Sequence, residues 1–169
     1  MTTCVLVGIP GSGKSTIGRE LAKRLSVTFI DTDREIEKTA GKTVAEIFID
    51  DGEYKFRELE KNEVLKALTA SSAVVSLGGG SVMNEEVRAE LTQHATIWLQ
   101  TSIPIAVKRT SMNQNRPLLL DAPRATLMKL LEQRSGFYQE VSRYSISTDG
   151  KTIKDVVDEL ADLLTEVNY

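Results

Sequence analysis

Cysteine, histidine and tryptophan each occur once in 169 residues, and aromatic residues make up only 5%. A lone cysteine, Cys4, excludes an intramolecular disulfide and any metal centre assembled from several thiolates. Set in an apolar run, it reads as a small buried strand residue. A lone histidine, His94, argues against histidine-based metal or acyl-transfer chemistry; it follows a polar helical stretch and is expected to face solvent. No apolar run reaches the ~18 residues of a membrane span. The N-terminus enters "TTCVLVG" without a basic leader, so no signal peptide is read and a cytoplasmic protein is expected. Positive charge is not in surplus either. A net charge of −3 gives no support to nucleic-acid or anionic-membrane binding, although a local arginine cluster can still hold a small anion.

What is present is ordinary for a soluble globular protein: 41% hydrophobic and 27% charged residues. The length suits one domain, which buries roughly 70% of the surface its unfolded chain exposes. Short apolar, β-branched runs at 3–7, 27–30, 73–77, 96–99 and 144–148 alternate with helix-length segments at 14–25, 53–69, 84–91, 103–110, 124–140 and 154–167. Such alternation predicts an α/β fold: a five-stranded parallel sheet with helices on both faces. Two regions fit it poorly. Residues 33–51 carry short helical pieces broken at Gly41 and Gly52, and 111–123, "SMNQNRPLLLDAP", is polar with two prolines. Insertions of this kind at a sheet edge suit a substrate-binding segment (about 33–61) and a lid (about 111–123).

"GIPGSGKST", Gly8 to Thr16, matches G-x-x-x-x-G-K-[ST] between a hydrophobic strand and an amphipathic helix. Gly8, Gly11 and Gly13 permit a tight loop whose backbone N–H groups, from Gly11 to Thr16 with Ser12 among them, turn toward phosphate oxygens. The following helix adds the positive end of its dipole. Lys14 supplies a mobile cation for the β- and γ-phosphates, and the Ser15 hydroxyl is placed to bind Mg²⁺. Guanine-reading N-K-x-D and switch D-x-x-G stretches are absent, which argues against a regulatory GTPase. The loop implies an Mg-nucleotide site.

Further residues suggest a second substrate. "DTD" places Asp31 and Asp33 at the end of the second strand, where open α/β sheets bind ligands. Asp31 suits hydrogen bonds from Mg-bound waters and Asp33 suits a hydroxyl acceptor; either is also a candidate cap for the helix that follows. Arg57 and Glu60 share a helix face, although Glu53 and Arg57 at i,i+4 read equally as a surface ladder. Arg134 in "LEQRSGFY" is equally ambiguous taken alone. Arg116, beside a proline, suits a lid arginine closing over phosphates. Trp98, Phe48 and Phe56 read as core, and Phe56, beside Arg57, also as an acceptor-pocket wall.

Taken together, "GIPGSGKST", "IDTD", "FR" at 56–57, "SLGGG" at 76–80, "RPLL" at 116–119 and Arg134 resemble, in order and spacing, bacterial shikimate kinases of the small monomeric kind. That resemblance implies a P-loop kinase that moves the γ-phosphate of ATP to the 3-hydroxyl of shikimate with one Mg²⁺. It implies that Arg57 and Arg134 pair with the shikimate carboxylate and that Asp33 holds ring hydroxyls and serves as base. Gly79, with Gly78 and Gly80, would offer backbone amides to the acceptor. Arg116 would reach ATP from the lid, Asp31 would be an outer-shell partner of the ion that Ser15 binds, and Arg109 and Lys151 would lie on the adenine side. Near Lys151 the chain departs from the family pattern, with Ile153 where proline is common. A kinase of the same fold for gluconate or a nucleoside monophosphate, or a non-enzymatic nucleotide-binding module, remain alternatives.

Overall fold

The computed structural model describes residues 4–112 and 122–166. Within them β1 (Cys4–Val7), β2 (Thr28–Asp31), β3 (Ala73–Ser76), β4 (Ala95–Gln100) and β5 (Tyr144–Ser147) form one parallel sheet in the order β2-β3-β1-β4-β5. The central strand "CVLV" is apolar at every position because both of its faces are covered. Cys4 and Leu6 point into a core made with α1 (Lys14–Leu25) and α8 (Ile153–Glu166). Val5 and Val7 point into the opposite core, made with α4 (Gly52–Leu68), α5 (Glu85–Leu91), α6 (Ile103–Ser111) and α7 (Pro123–Val141). The expected three-layer fold is therefore the observed one.

Between β2 and α4 lie α2 (Thr32–Ala40) and α3 (Val44–Asp50), broken at Gly41 as expected. They do not add to the sheet cores. Ile36, Ile47 and Phe56 form a small core of their own, with Val44, Phe48 and Leu59 packed against it. A reciprocal capping box between Thr43 and Glu46 starts α3. Below the C-terminal edge of β3 the chain turns through Gly78–Gly80 into a 3-10 turn, Ser81–Met83.

His94 differs from expectation. Its side chain is only 13% exposed and lies 3.4 Å from Glu90, because the turn after α5 folds it back over that helix. Cys4 is buried as expected, and burial pushes its thiol up to about 12. No helix among the described residues is long and apolar enough to cross a membrane. Residues 113–121, which hold Arg116 and most of the expected lid, lie outside the described residues.

Candidate active site

The loop after β1 leads into α1 through Gly13, whose φ of 91° is a conformation that side chains resist. No side chain caps α1 there and its first turn carries no acidic residue, so its leading amides and positive dipole end are available to phosphate. Lys14 is folded back along the loop: its Nζ donates to the carbonyls of Gly8 (2.8 Å) and Ile9 (3.0 Å) and to Ser12 Oγ (3.3 Å). Ser12 itself is buried beneath the loop.

Ser15 Oγ donates to Asp31 Oδ2 at 2.8 Å. The other oxygen, Asp31 Oδ1, accepts the Asp33 N–H at 3.1 Å and so caps α2. The cap is thus Asp31 and not Asp33, which stands inside the first turn. A hydroxyl and a carboxylate oxygen side by side are the hard donors that Mg²⁺ takes alongside phosphate oxygens and retained waters. The described residues contain no cluster of three or more His, Cys, Asp or Glu fit to hold a metal.

Beside the loop, Arg109 Nη1 donates to Gly11 O (3.1 Å) and Thr148 Oγ1 (3.3 Å), which draws α6 against the residues before α1. Lys151 is paired with Glu159 at 2.5 Å at the start of α8. Asp149, between them in sequence, accepts from Thr101 Oγ1 (3.0 Å) and the Ser102 N–H (3.1 Å). Burial pushes its carboxyl up, yet the hydrogen bonds from Ser102 and Thr101 hold it below the usual range.

A cluster of charged side chains gathers around the three glycines. A Cβ on Gly78 would stand 2.8 Å from Asp33 Oδ1 and 3.0 Å from Glu60 Oε2. One on Gly79 would stand 3.2 Å from Arg134 Nη1, and one on Gly80 2.7 Å from Arg57 Nη2. The missing side chains therefore leave room for Asp33, Glu60, Arg134 and Arg57, which a Cβ at these positions would crowd. The Gly78 N–H is turned to Thr32 Oγ1 (3.4 Å), so it is not aimed at an acceptor as expected.

Glu60 is the residue that sequence reasoning undervalued. Arg57 does reach Glu53 at 3.5 Å, as a surface ladder would, but its closer partner is Glu60 at 2.7 Å, only 4% exposed. Burial raises the Glu60 carboxyl above its ordinary value, against the opposing pull of the Arg57 and Arg134 guanidiniums. The signal was present: Phe56, Glu60, Val64 and Ala67 follow helical spacing on the buried face of α4. Arg134 on α7 is itself 6% exposed. Phe56 lies beneath the Arg57 guanidinium (5.3 Å to the ring centroid) and 4.6 Å from the Phe48 ring centroid.

One cavity of ≈ 650 Å³ joins the two sides. It is lined by the loop residues Gly11, Gly13, Lys14, Ser15 and Thr16, by Asp31 and Asp33, by Arg57, Gly78, Gly79, Gly80 and Arg134, and by Arg109 and Lys151. Every expected site residue within the described range thus meets there, except the buried Ser12. A cation-bearing phosphate loop and a small pocket of two arginines, an aspartate and bare backbone therefore share a single space, as phosphoryl transfer between two bound molecules demands.

The family model for shikimate kinase matches residues 10–165. A shikimate kinase of Salinispora arenicola is 48% identical over 161 residues, 95% of this chain and 96% of that protein. One of Salinispora tropica is 50% identical over the same length and shares. The solved structure of shikimate kinase from Acinetobacter baumannii in complex with shikimate superposes with a TM-score of 0.95 at 33% identity, covering 98% of this chain and 94% of that one.

Proposed function

The chain belongs to the shikimate kinase family, an ATP-dependent kinase of shikimate, and from that membership we propose how its residues move the γ-phosphate of ATP to the 3-hydroxyl of shikimate. The observation that carries the assignment is the shared cavity with the Arg57–Glu60–Arg134 group at one end and the phosphate loop at the other. Buried Glu60 neutralises and orients the two guanidiniums, which clamp the shikimate carboxylate in bidentate fashion. Asp33, set against Gly78, accepts hydrogen bonds from the ring hydroxyls and takes the proton as the new O–P bond forms. Gly79 and Gly80 supply backbone donors, and Phe48 and Phe56 wall the ring.

At the donor end the loop amides and the α1 terminus hold the phosphates. Lys14 exchanges its loop carbonyls for the β- and γ-phosphate oxygens, which gain charge in a loose transition state. Ser15 and Asp31 would hold one Mg²⁺, which when bound neutralises phosphate charge and orients the transferring group. Arg109 and Lys151 line the adenine end. Arg116 completes the phosphate cover from a lid at about 111–123, and residues about 33–61 form the acceptor-binding segment. The enzyme works as a cytoplasmic monomer, which gel filtration of the purified chain tests.

The decisive assay is ADP release from Mg-ATP with shikimate, gluconate or a nucleoside monophosphate as acceptor. Stimulation by shikimate alone is expected. In the same assay Arg57→Ala raises the KM for shikimate roughly 30-fold or more, the scale of one lost charge-assisted pair, with nucleotide affinity nearly intact. Loss of nucleotide affinity in its place would remove Arg57 from the acceptor clamp.

A further inference from the structure

Tyr138 is fully buried, yet its hydroxyl ends on the glycine segment: Tyr138 Oη donates to Gly79 O at 2.6 Å. We propose that Tyr138 is a positioning residue for shikimate, locking the Gly79–Gly80 peptide so that its N–H faces the acceptor cavity. The inference rests on the acceptor-side assignment of Gly79 and Gly80 made above.

A trans peptide holds its C=O and N–H in one plane, pointing opposite ways. Fixing the Gly79 carbonyl toward α7 therefore directs the Gly80 N–H away from α7. A peptide between two glycines has no Cβ on either side to restrict its rotation, so its orientation needs an external tether. The glycines themselves cannot be replaced to stiffen it, because Arg57 and Arg134 occupy the space of their absent side chains. Tyr138 meets that need from one helical turn beyond Arg134, so a single helix sets both the arginine and the peptide beside it.

Two further contacts flank the tether without making it. Its ring packs on Trp98 of β4, with centroids 5.7 Å apart. Arg88 of α5 donates to the Val82 and Met83 carbonyls (2.9 and 3.2 Å) and lies over the Phe137 ring of α7, 4.1 Å from its centroid, tying the turn after the glycines to the same helix. Burial pushes the phenol up to about 12, against the pull of Arg134, so it stays a donor throughout the working range.

Tyr138→Phe keeps the ring and removes the tether. It raises the KM for shikimate about tenfold, the scale of one misdirected hydrogen bond, and leaves the KM for ATP within about twofold. Trp98→Phe is the packing control: it lowers Tm but leaves the shikimate KM within about twofold. Equal shifts in both KM values for Y138F, or an equal shikimate shift in W98F, overturn the proposal. Arg57→Ala in parallel separates the two failures, since an unmoved shikimate KM in R57A overturns the acceptor assignment itself. In the unaltered enzyme, Trp98 is the sole tryptophan and stands beside Tyr138. Its emission shifts on adding shikimate more than on adding Mg-ADP; an emission insensitive to shikimate overturns the proposal even if Y138F does not fold.

Discussion

Asp31 shows how one carboxylate serves two levels of organisation. One oxygen caps α2 and the other receives the Ser15 hydroxyl, so the residue that starts α2 is also tied to the first turn of α1. Asparagine caps helices as well as aspartate. Asp31→Asn is therefore expected to keep Tm within about 2 °C while the Mg²⁺ concentration for half-maximal activity rises several-fold; a Tm fall without a Mg²⁺ effect would confine Asp31 to capping. Asp33→Asn should lower kcat on the order of 10²-fold with little change in shikimate KM, as loss of a proton acceptor does. Unchanged kcat would remove it from the chemistry. Glu60 gives a pH signature. Its folded-state value is raised, so the folded protein holds the proton more tightly than the unfolded chain. Its stabilising contribution is full below the ordinary value of 4.5 and is lost as pH rises from there through the raised value. Glu60→Gln should flatten the fall of Tm across that window, and an unchanged Tm–pH slope would contradict the burial argument.

Among the elements, the loops that follow β4 and β5 are joined by side chains as well as by the sheet pairing that ends at Gln100 and Ser147. Asp149 bridges from the end of β5 to Thr101 and Ser102 before α6, and α6 carries Arg109 onto the phosphate loop. Asp149→Ala is expected to raise the KM for ATP about tenfold while shikimate KM stays level, because two or three hydrogen bonds that place α6 are lost together. Steady-state kinetics with both substrates varied checks this; a shift confined to shikimate would reverse the assignment of that edge to the nucleotide. α4 has a different task. Its apolar stripe packs on the sheet core through Val64, Ala67 and Leu68, while its first turns join the small core through Phe56. The same helix thus carries Arg57 and Glu60 at the seam between the two.

For the whole molecule, that division into large and small cores sets where stability is spent. The sheet is flanked by two extensive buried clusters, whereas α2, α3 and the start of α4 rely on Ile36, Ile47 and Phe56. Ile47 is fully buried. Ile47→Ala should cost about 2–4 kcal/mol locally and speed amide exchange across α2 and α3, with β1, β3 and β4 keeping their protection. Shikimate binding should weaken while Mg-nucleotide binding holds. Uniform loss of protection would show that the two cores unfold as one.

The sequence by itself determined the sheet, its helices and the nucleotide loop, because these rest on local signals. Apolar runs of strand length, helical spacing and the fixed order of glycines, lysine and serine each act within a few neighbouring residues. The triple glycine and Arg57 were also visible, through their resemblance to a known pattern. What those residues press against was settled by packing between distant parts of the chain. Glu60 lies three residues from Arg57, yet its burial depends on the packing of α4 against the sheet, and from the sequence it read equally well as a surface ion pair. Which of two aspartates caps α2 depended on where β2, paired with β3 as far as Asp31, hands over to the helix. Tyr138 is 59 residues from the carbonyl it holds, and no local spacing connects them. Long-range hydrogen bonds and burial are set by how elements pack, and that information resides in the assembled core.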